Sequence, residues 1–155
     1  MVGKSIILIT VVFNIIGIIL NGNNFFMGNA PTYLDCAFSI FYVLLWGGLS
    51  AYTYIKKDVL LSKFQLNYWI IGLAISIISA IITIVNYNKI IIPSMYMLFC
   101  FIFFLFDLIF FAPFYGLRLF LNLNIVKYSI VIIIIPMVFT ILAIGVFKKL
   151  KKDTI

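Results

Sequence analysis

One carboxylate stands in a long uncharged part of the chain. Asp107 lies in the stretch MLFCFIFFLFDLIFF, residues 97–111, and the nearest charged residues along the chain are Lys89 and Arg118. An ionised acid in the hydrocarbon of a bilayer costs about 3 kcal/mol or more, so acids in such places are functional candidates by default. Asp107 is therefore the first residue whose chemistry needs an explanation.

Three environments would accommodate Asp107. In the first, Asp107 is protonated or hydrogen-bonded to a polar side chain of another helix. In the second, its helix ends near Phe111 and Asp107 lies near the interface. In the third, a partner subunit supplies a cation. Arg118 is too far for a direct pair in a straight helix, about 16 Å of rise along the axis. A bend at Pro113 would make that pair possible. The ligand- or ion-binding candidates are Asp107, Asn14, Ser79 and Thr83.

The remaining reactive inventory is small. The chain has four Asp, no Glu and no His, so it lacks the commonest general base and metal ligand. Cys36 and Cys100 are expected at different depths, which argues against a disulfide between them. The lysines all lie outside the apolar runs, so no Ser-Lys pair is expected at membrane depth. We predict a non-catalytic protein without a metal site or a cofactor.

The composition predicts the solvent of this chain. Of its 155 residues 66% are hydrophobic and 10% are charged, with a mean hydropathy of +1.28, whereas soluble domains are nearer half apolar and a quarter charged. The net charge of +7 does not indicate nucleic-acid binding, because the basic residues lie between or just beyond apolar runs, as in membrane proteins. We therefore expect an all-α integral membrane protein whose first partner is the lipid bilayer.

Five apolar runs predict a single polytopic domain, residues 1–155, with about five transmembrane helices. Four or six are the alternatives. The backbone in lipid must be helical, because no water is present to satisfy its polar groups, and about 20 residues cross the hydrocarbon. Residues 112–124 contain Pro113 and Gly116 and form either an interfacial helix or a re-entrant segment. The predicted spans are approximately residues 5–26, 33–55, 66–86, 90–111 and 128–147.

The predicted orientation of the chain in the membrane conflicts with the predicted count of five spans. Lys4 beside an uncharged first loop predicts a cytoplasmic N-terminus, and Lys56 and Lys57 then also lie inside. After five crossings the C-terminal KKLKKD, residues 148–153, would lie outside, against the positive-inside rule. An even number of spans, with the fourth run turning back, would remove the conflict.

Small and polar residues predict how the helices associate, because helices in lipid pack through close backbone approach and interhelical hydrogen bonds. Thr10, Asn14, Gly17 and Asn21 are spaced by four, three and four residues, which places them on one helix face. At the start of the second helix, Asp35 is predicted to cap the positive helix end. The predicted helix-packing residues are Gly17, Gly47, Gly48, Gly72, Ser76 and Ala80.

These patterns favour a non-catalytic subunit or substrate-binding component in transmembrane transport, pairing with other membrane subunits or with copies of itself. The alternative is a membrane immunity or accessory protein that binds a peptide toxin or a partner membrane protein. A lipid-modifying enzyme is a remote third. The excess of Ile, Phe, Asn and Lys is typical of an AT-rich genome, so we expect the cytoplasmic membrane of a low-GC bacterium.

Overall fold

A computed structural model describes residues 2–87, 105–123 and 125–152 of the chain, and every regular element in these ranges is helical. The all-α bundle is therefore confirmed. We number the helices in chain order, and the range given for α4 covers only its described residues. The elements are α1 Val2–Met27, α2 Tyr33–Lys56, α3 Val59–Tyr87, α4 105–111, a 3₁₀ turn Ala112–Phe114, α5 Leu117–Phe120 and α6 Ile125–Lys152.

Four of the described helices are long and apolar enough to cross a bilayer, which makes this a multi-pass membrane protein. They correspond to the first, second, third and fifth predicted spans. The fourth predicted span, residues 90–111, lies largely in residues 88–104, outside the described part of the chain. The four crossing segments are Gly3–Phe25, Tyr33–Lys56, Val59–Ile82 and Ile130–Lys152.

The second and third helices form an antiparallel pair with a very short turn. Lys57 has the left-handed backbone conformation (φ 53°) that ends α2. The Asp58 carboxylate accepts the Leu61 N–H at 3.0 Å, which caps the start of α3. As a result α3 begins at Val59, seven residues before the predicted span, and Gln65 belongs to the helix.

Both ends of the described chain lie at the same end of the bundle. Gly3 of α1 lies beside the Asp58 side chain, and the ammonium of Lys149 near the end of α6 lies 4.3 Å from the centre of the Tyr54 ring. We call this the lysine end. Eight of the eleven cationic residues of the chain lie there: Lys4, Lys56, Lys57, Lys63, Lys148, Lys149, Lys151 and Lys152.

α3 and α6 are antiparallel, so the last described residues of α3 and the first of α6 both lie at the end opposite the lysine end. Trp69 of α3 stacks on Phe139 of α6, with ring centroids 4.6 Å apart, and Ile75 further along α3 joins Ile132 earlier in α6. The four described crossing helices therefore begin and end at the lysine end. Among these helices the cationic start of α1 and the cationic end of α6 lie on one side, as the positive-inside rule requires.

The segment after α4 runs through the interior of the bundle. Residues 110–117 are all buried, and Phe114 packs on Tyr42 of α2 at 5.1 Å and on Trp69 of α3 at 6.1 Å between ring centroids. Irregular backbone at membrane depth is tolerated where protein surrounds it. For the buried part of residues 112–124, these contacts favour the re-entrant interpretation over the interfacial helix.

Aromatic rings fill the space between the long helices. Trp46 lies 4.6 Å from Tyr68 and 4.7 Å from Trp69 between ring centroids, the first pair stacked and the second edge-on. Such offset and edge-to-face pairs are the favourable ring geometries. The buried members of this cluster are Tyr42, Trp46, Leu49, Leu61, Trp69, Phe114, Leu117 and Phe139.

The predicted packing residues divide into two groups. A Cβ built on Gly17 would lie 2.8 Å from the Pro113 ring, and one on Gly72 would lie 2.9 Å from the Phe110 ring, so both glycines admit the segment around α4. Ser76 and Ala80 of α3 are buried. By contrast, Gly47 and Gly48 are exposed and meet no described atom within 4 Å, so no described helix packs there.

Candidate functional site

Asp107 lies in α4, four residues before the helix ends, and its side chain is half-buried. Its carboxylate accepts a hydrogen bond from the Ser79 hydroxyl of α3. The predicted contact between this acid and a polar residue of another helix is thus present. Thr83 lies one turn further along α3, but its side chain lies outside the described part of the structure.

Asn14, the remaining binding candidate, belongs to a different group. Its amide nitrogen donates to the Tyr68 hydroxyl at 3.3 Å, and the hydroxyls of Tyr68 and Tyr42 are 3.4 Å apart. These contacts join α1, α3 and α2 in the middle of the bundle. The Asn14 Oδ1 atom is buried without a hydrogen-bond partner among the described residues.

Arg118 does not neutralise Asp107 although the chain bends at Pro113. Its guanidinium donates to the Tyr115 hydroxyl at 2.6 Å and to the Leu123 carbonyl at 3.3 Å. The Tyr115 hydroxyl in turn donates to the Asn29 carbonyl at 2.7 Å. Arg118 therefore ties the segment after α4 to the loop between α1 and α2.

Asp35 has the predicted capping role. The Thr32 hydroxyl accepts from the Asp35 N–H at 3.2 Å, and the Asp35 carboxylate accepts from the Thr32 N–H at 2.7 Å, a reciprocal capping box. The Asn24 amide of α1 donates to the same carboxylate at 2.8 Å. Cys36, the next residue, is a free thiol, and Cys100 lies outside the described residues.

Ser39 of α2 is the centre of a polar contact that the sequence analysis missed. Its hydroxyl donates to the Pro113 carbonyl at 2.8 Å and accepts from the Asn21 amide at 3.1 Å and from the Gly116 N–H at 3.0 Å. One donor and two acceptor sites are all a hydroxyl offers. The sequence feature that could have indicated this contact was Asn21, which lies on the polar face of α1 and needs a hydrogen-bond partner in lipid.

A second buried amide, Gln65, lies nearer the lysine end. Its nitrogen donates to the Thr53 hydroxyl at 2.9 Å, and Thr53 donates to the Leu49 carbonyl at 2.8 Å. Both polar side chains are 0% exposed. The predicted third span begins at Leu66, so Gln65 was not expected within a helix.

An apolar furrow opens on the outer side of the bundle between α2, α5 and α6. Its volume is about 330 Å³. Towards the lysine end, Gly47 and Ala51 continue the α2 wall and Gly145 continues the α6 wall, and all three are exposed. The furrow is lined by Ile40, Val43, Leu44, Leu117, Phe120, Leu121, Val131 and Ile135.

The described residues thus offer an acid with a hydroxyl partner, buried amides and an apolar furrow, an arrangement suited to binding. Within residues 2–87, 105–123 and 125–152, no three His, Cys, Asp or Glu side chains lie close enough to hold a metal ion. Comparisons of the chain with protein-family models, with curated proteins and with solved structures found no match.

Proposed function

We propose that this protein is a non-catalytic component of a transmembrane transport system, and that Asp107 with Ser79 recognises a proton or a small cation. The observation that carries the proposal is the position of Asp107. Its carboxylate is half-buried on an apolar helix and has a neutral hydroxyl partner from a second helix. An acid held in this way is kept for its chemistry more often than for stability, because burial in lipid costs free energy.

The interrupted helix supports the same proposal. α4 ends at Phe111, and a 3₁₀ turn and the short α5 follow it inside the bundle. Discontinuous helices at membrane depth are typical of transporter binding sites, where free backbone groups and polar side chains meet the substrate. Asp107 lies one turn before this interruption.

We further propose that the protein resides in the cytoplasmic membrane of a low-GC bacterium with its lysine end in the cytoplasm. The clustering of eight cations at that end is the asymmetry on which the positive-inside rule rests. A pathway for solute would then be shared with other membrane subunits or with further copies, because aromatic rings fill the described interior.

Carbodiimide labelling tests the cation-binding proposal. Dicyclohexylcarbodiimide modifies protonated carboxyls in apolar surroundings, and mass spectrometry locates the adduct in protein held in lipid nanodiscs. We expect adduct formation at Asp107, slowed by raising the pH and by adding Na⁺ or methylammonium. Ser79→Ala should alter the rate, because it removes the hydroxyl donor.

Asp58→Asn is the matched control. It removes one carboxylate at the lysine end and keeps a good helix cap, because Asn caps about as well as Asp. Labelling of Asp107 and its dependence on pH and cations should be unchanged in this variant. A labelling rate at Asp107 that responds to neither pH nor either cation contradicts the proposal.

The exposed furrow favours a second candidate function, binding of a peptide toxin or of a partner membrane protein. An apolar surface of this kind, continued by the unpacked Gly47, Ala51 and Gly145, suits close approach of another helix. Two variants separate the candidates. Gly47→Leu should abolish protection of a sensitive host against the peptide and leave the labelling of Asp107 intact. Asp107→Asn removes the labelled carboxyl and should leave protection of the host intact.

A further inference from the structure

Six buried polar side-chain atoms of α1, α2 and α3 have no hydrogen-bond partners among the described residues. We call these six atoms the polar seam. Buried polar groups in proteins are almost always hydrogen-bonded, and the exceptions are commonly met by internal water. The six atoms are Ser62 Oγ, Gln65 Oε1, Trp46 Nε1, Trp69 Nε1, Asn14 Oδ1 and Asn21 Oδ1.

The orientation of Gln65 is determined by its neighbours. The Thr53 hydroxyl gives its proton to the Leu49 carbonyl, so towards Gln65 the Thr53 oxygen can only accept. The amide nitrogen must therefore face Thr53, and Oε1 must face away. Ser62, one turn earlier on α3, contributes an unpartnered hydroxyl.

Asn21 is oriented in the same way at the other end of the seam. Its nitrogen lies 3.2 Å from the Pro113 carbonyl, which can only accept, and the Ser39 hydroxyl already donates to that carbonyl. The Asn21 Oδ1 atom therefore points away from both partners and is 0% exposed as part of its residue. A reversed amide would remove two hydrogen bonds, so the unpartnered oxygen is a property of the packing.

The six atoms are distributed over most of the membrane depth. Ser62 and Gln65 lie near the start of α3 at the lysine end, and the two tryptophans follow. Asn14 meets Tyr68 of α3, and Asn21 lies two turns further along α1. With a rise of 1.5 Å per residue along α3 and then α1, the seam extends over about 20 Å.

The mixture of groups identifies the ligand class. The amide oxygens require hydrogen-bond donors, the indole N–H groups require acceptors, and no charged side chain lies among the six atoms. Water supplies both functions in one small molecule. We propose that individual bound water molecules hydrogen-bond to the atoms of the polar seam, between the aromatic rings of the bundle interior.

This inference goes beyond the proposed cation site, because none of its six atoms belongs to Asp107 or Ser79. X-ray radiolytic footprinting in lipid nanodiscs tests it, since hydroxyl radicals formed from internal water oxidise the adjacent buried side chains. Rates of oxidation are normalised to those of the denatured chain. We expect Trp46 and Trp69 to oxidise at a rate comparable with exposed Tyr33, whereas buried Phe139, on the α6 side of Trp69, stays protected.

Variants complete the test. Gln65→Leu and Asn14→Leu each remove an oxygen of the seam and should lower tryptophan oxidation towards the level of Phe139. Ser50→Ala is the matched control, because Ser50 bonds only to the Trp46 carbonyl of its own helix among described groups, and it should leave oxidation unchanged.

Two results would overturn the inference: tryptophans as protected as Phe139 in the wild type, or unchanged oxidation in whichever of the two leucine variants folds. Asp107→Asn should not affect oxidation of either tryptophan. The proposal of bound water in the seam and the proposal of a cation site can therefore be contradicted independently of each other.

Discussion

Gly116 and Asp35 lie backbone against backbone: a Cβ built on Gly116 would overlap the Asp35 carbonyl group. This contact joins the turn before α5 to the capped start of α2, so the interrupted segment and the second helix are positioned together. The Gly116 N–H also donates to the Ser39 hydroxyl one turn further along α2, which holds the two backbones together.

Gly116→Ala should therefore destabilise the fold by about 2 kcal/mol or more, as overpacking of a dense interior does. Thermal unfolding in detergent, followed by tryptophan fluorescence, measures the loss. Gly145→Ala is the matched control, because no described atom lies within 4 Å of its Cβ position. Equal unfolding temperatures for the two variants would contradict the close approach.

Ser39→Ala should cost about 2 kcal/mol, because the Gly116 N–H is then buried without its partner. The Asn21 amide keeps its bond to the Pro113 carbonyl, so it adds little to the loss. Ser50→Ala, on the same helix, removes only a bond to its own backbone among described groups and should change stability by less than about 0.5 kcal/mol. The comparison uses the same unfolding measurement. A smaller loss for Ser39→Ala than for Ser50→Ala would show that the contact carries no stability.

Asp35→Ala should destabilise the protein by about 2 kcal/mol, because the carboxylate loses its bonds from the Thr32 N–H and from Asn24, while the Thr32 hydroxyl still caps the helix. Asp35→Asn keeps one accepting oxygen and should show a smaller loss. Urea unfolding of the two variants in mixed micelles gives the difference. If alanine and asparagine are equivalent at this position, the carboxylate is not what joins α1 to α2.

Single cysteines test whether both described chain ends lie on one side of the membrane. In a chain with Cys36→Ala and Cys100→Ala, we expect cysteines at positions 57 and 152 to react with a membrane-impermeant maleimide from one side of the membrane. Cysteines at positions 29 and 122 should react from the other side. The reason is that the two chain ends and the α2–α3 turn lie at the lysine end. Labelling of positions 152 and 29 from the same side would overturn this arrangement.

Much of the helical architecture could be predicted from local sequence, because length and apolar content decide what enters a bilayer. The bounds of α1 and α2 lie close to the predicted spans. The predicted third span starts later than α3 does, because Lys63 and Gln65 have the polarity typical of a loop. The cap at Asp58 and the bond from Gln65 to Thr53 outweigh that polarity.

The candidate site was only partly predictable. Asp107 stands out in an uncharged run, and Ser79 was one of three possible partners. Ser39 did not stand out, because a serine in an apolar helix usually bonds to its own backbone, as Ser50 does. Its role depends on Pro113 and Gly116, which come from a distant part of the chain.

The sequence alone determined the solvent, the helical class and the capping of α2, because composition and neighbouring residues control these properties. Only the tertiary structure decided the position of both described chain ends at the lysine end, the insertion of Pro113 beside Gly17 and the separation of Asn14 from Asp107. These features depend on which helix faces meet. In lipid, that choice comes from a few close backbone approaches and interhelical hydrogen bonds, since burial of apolar surface favours no pairing over another.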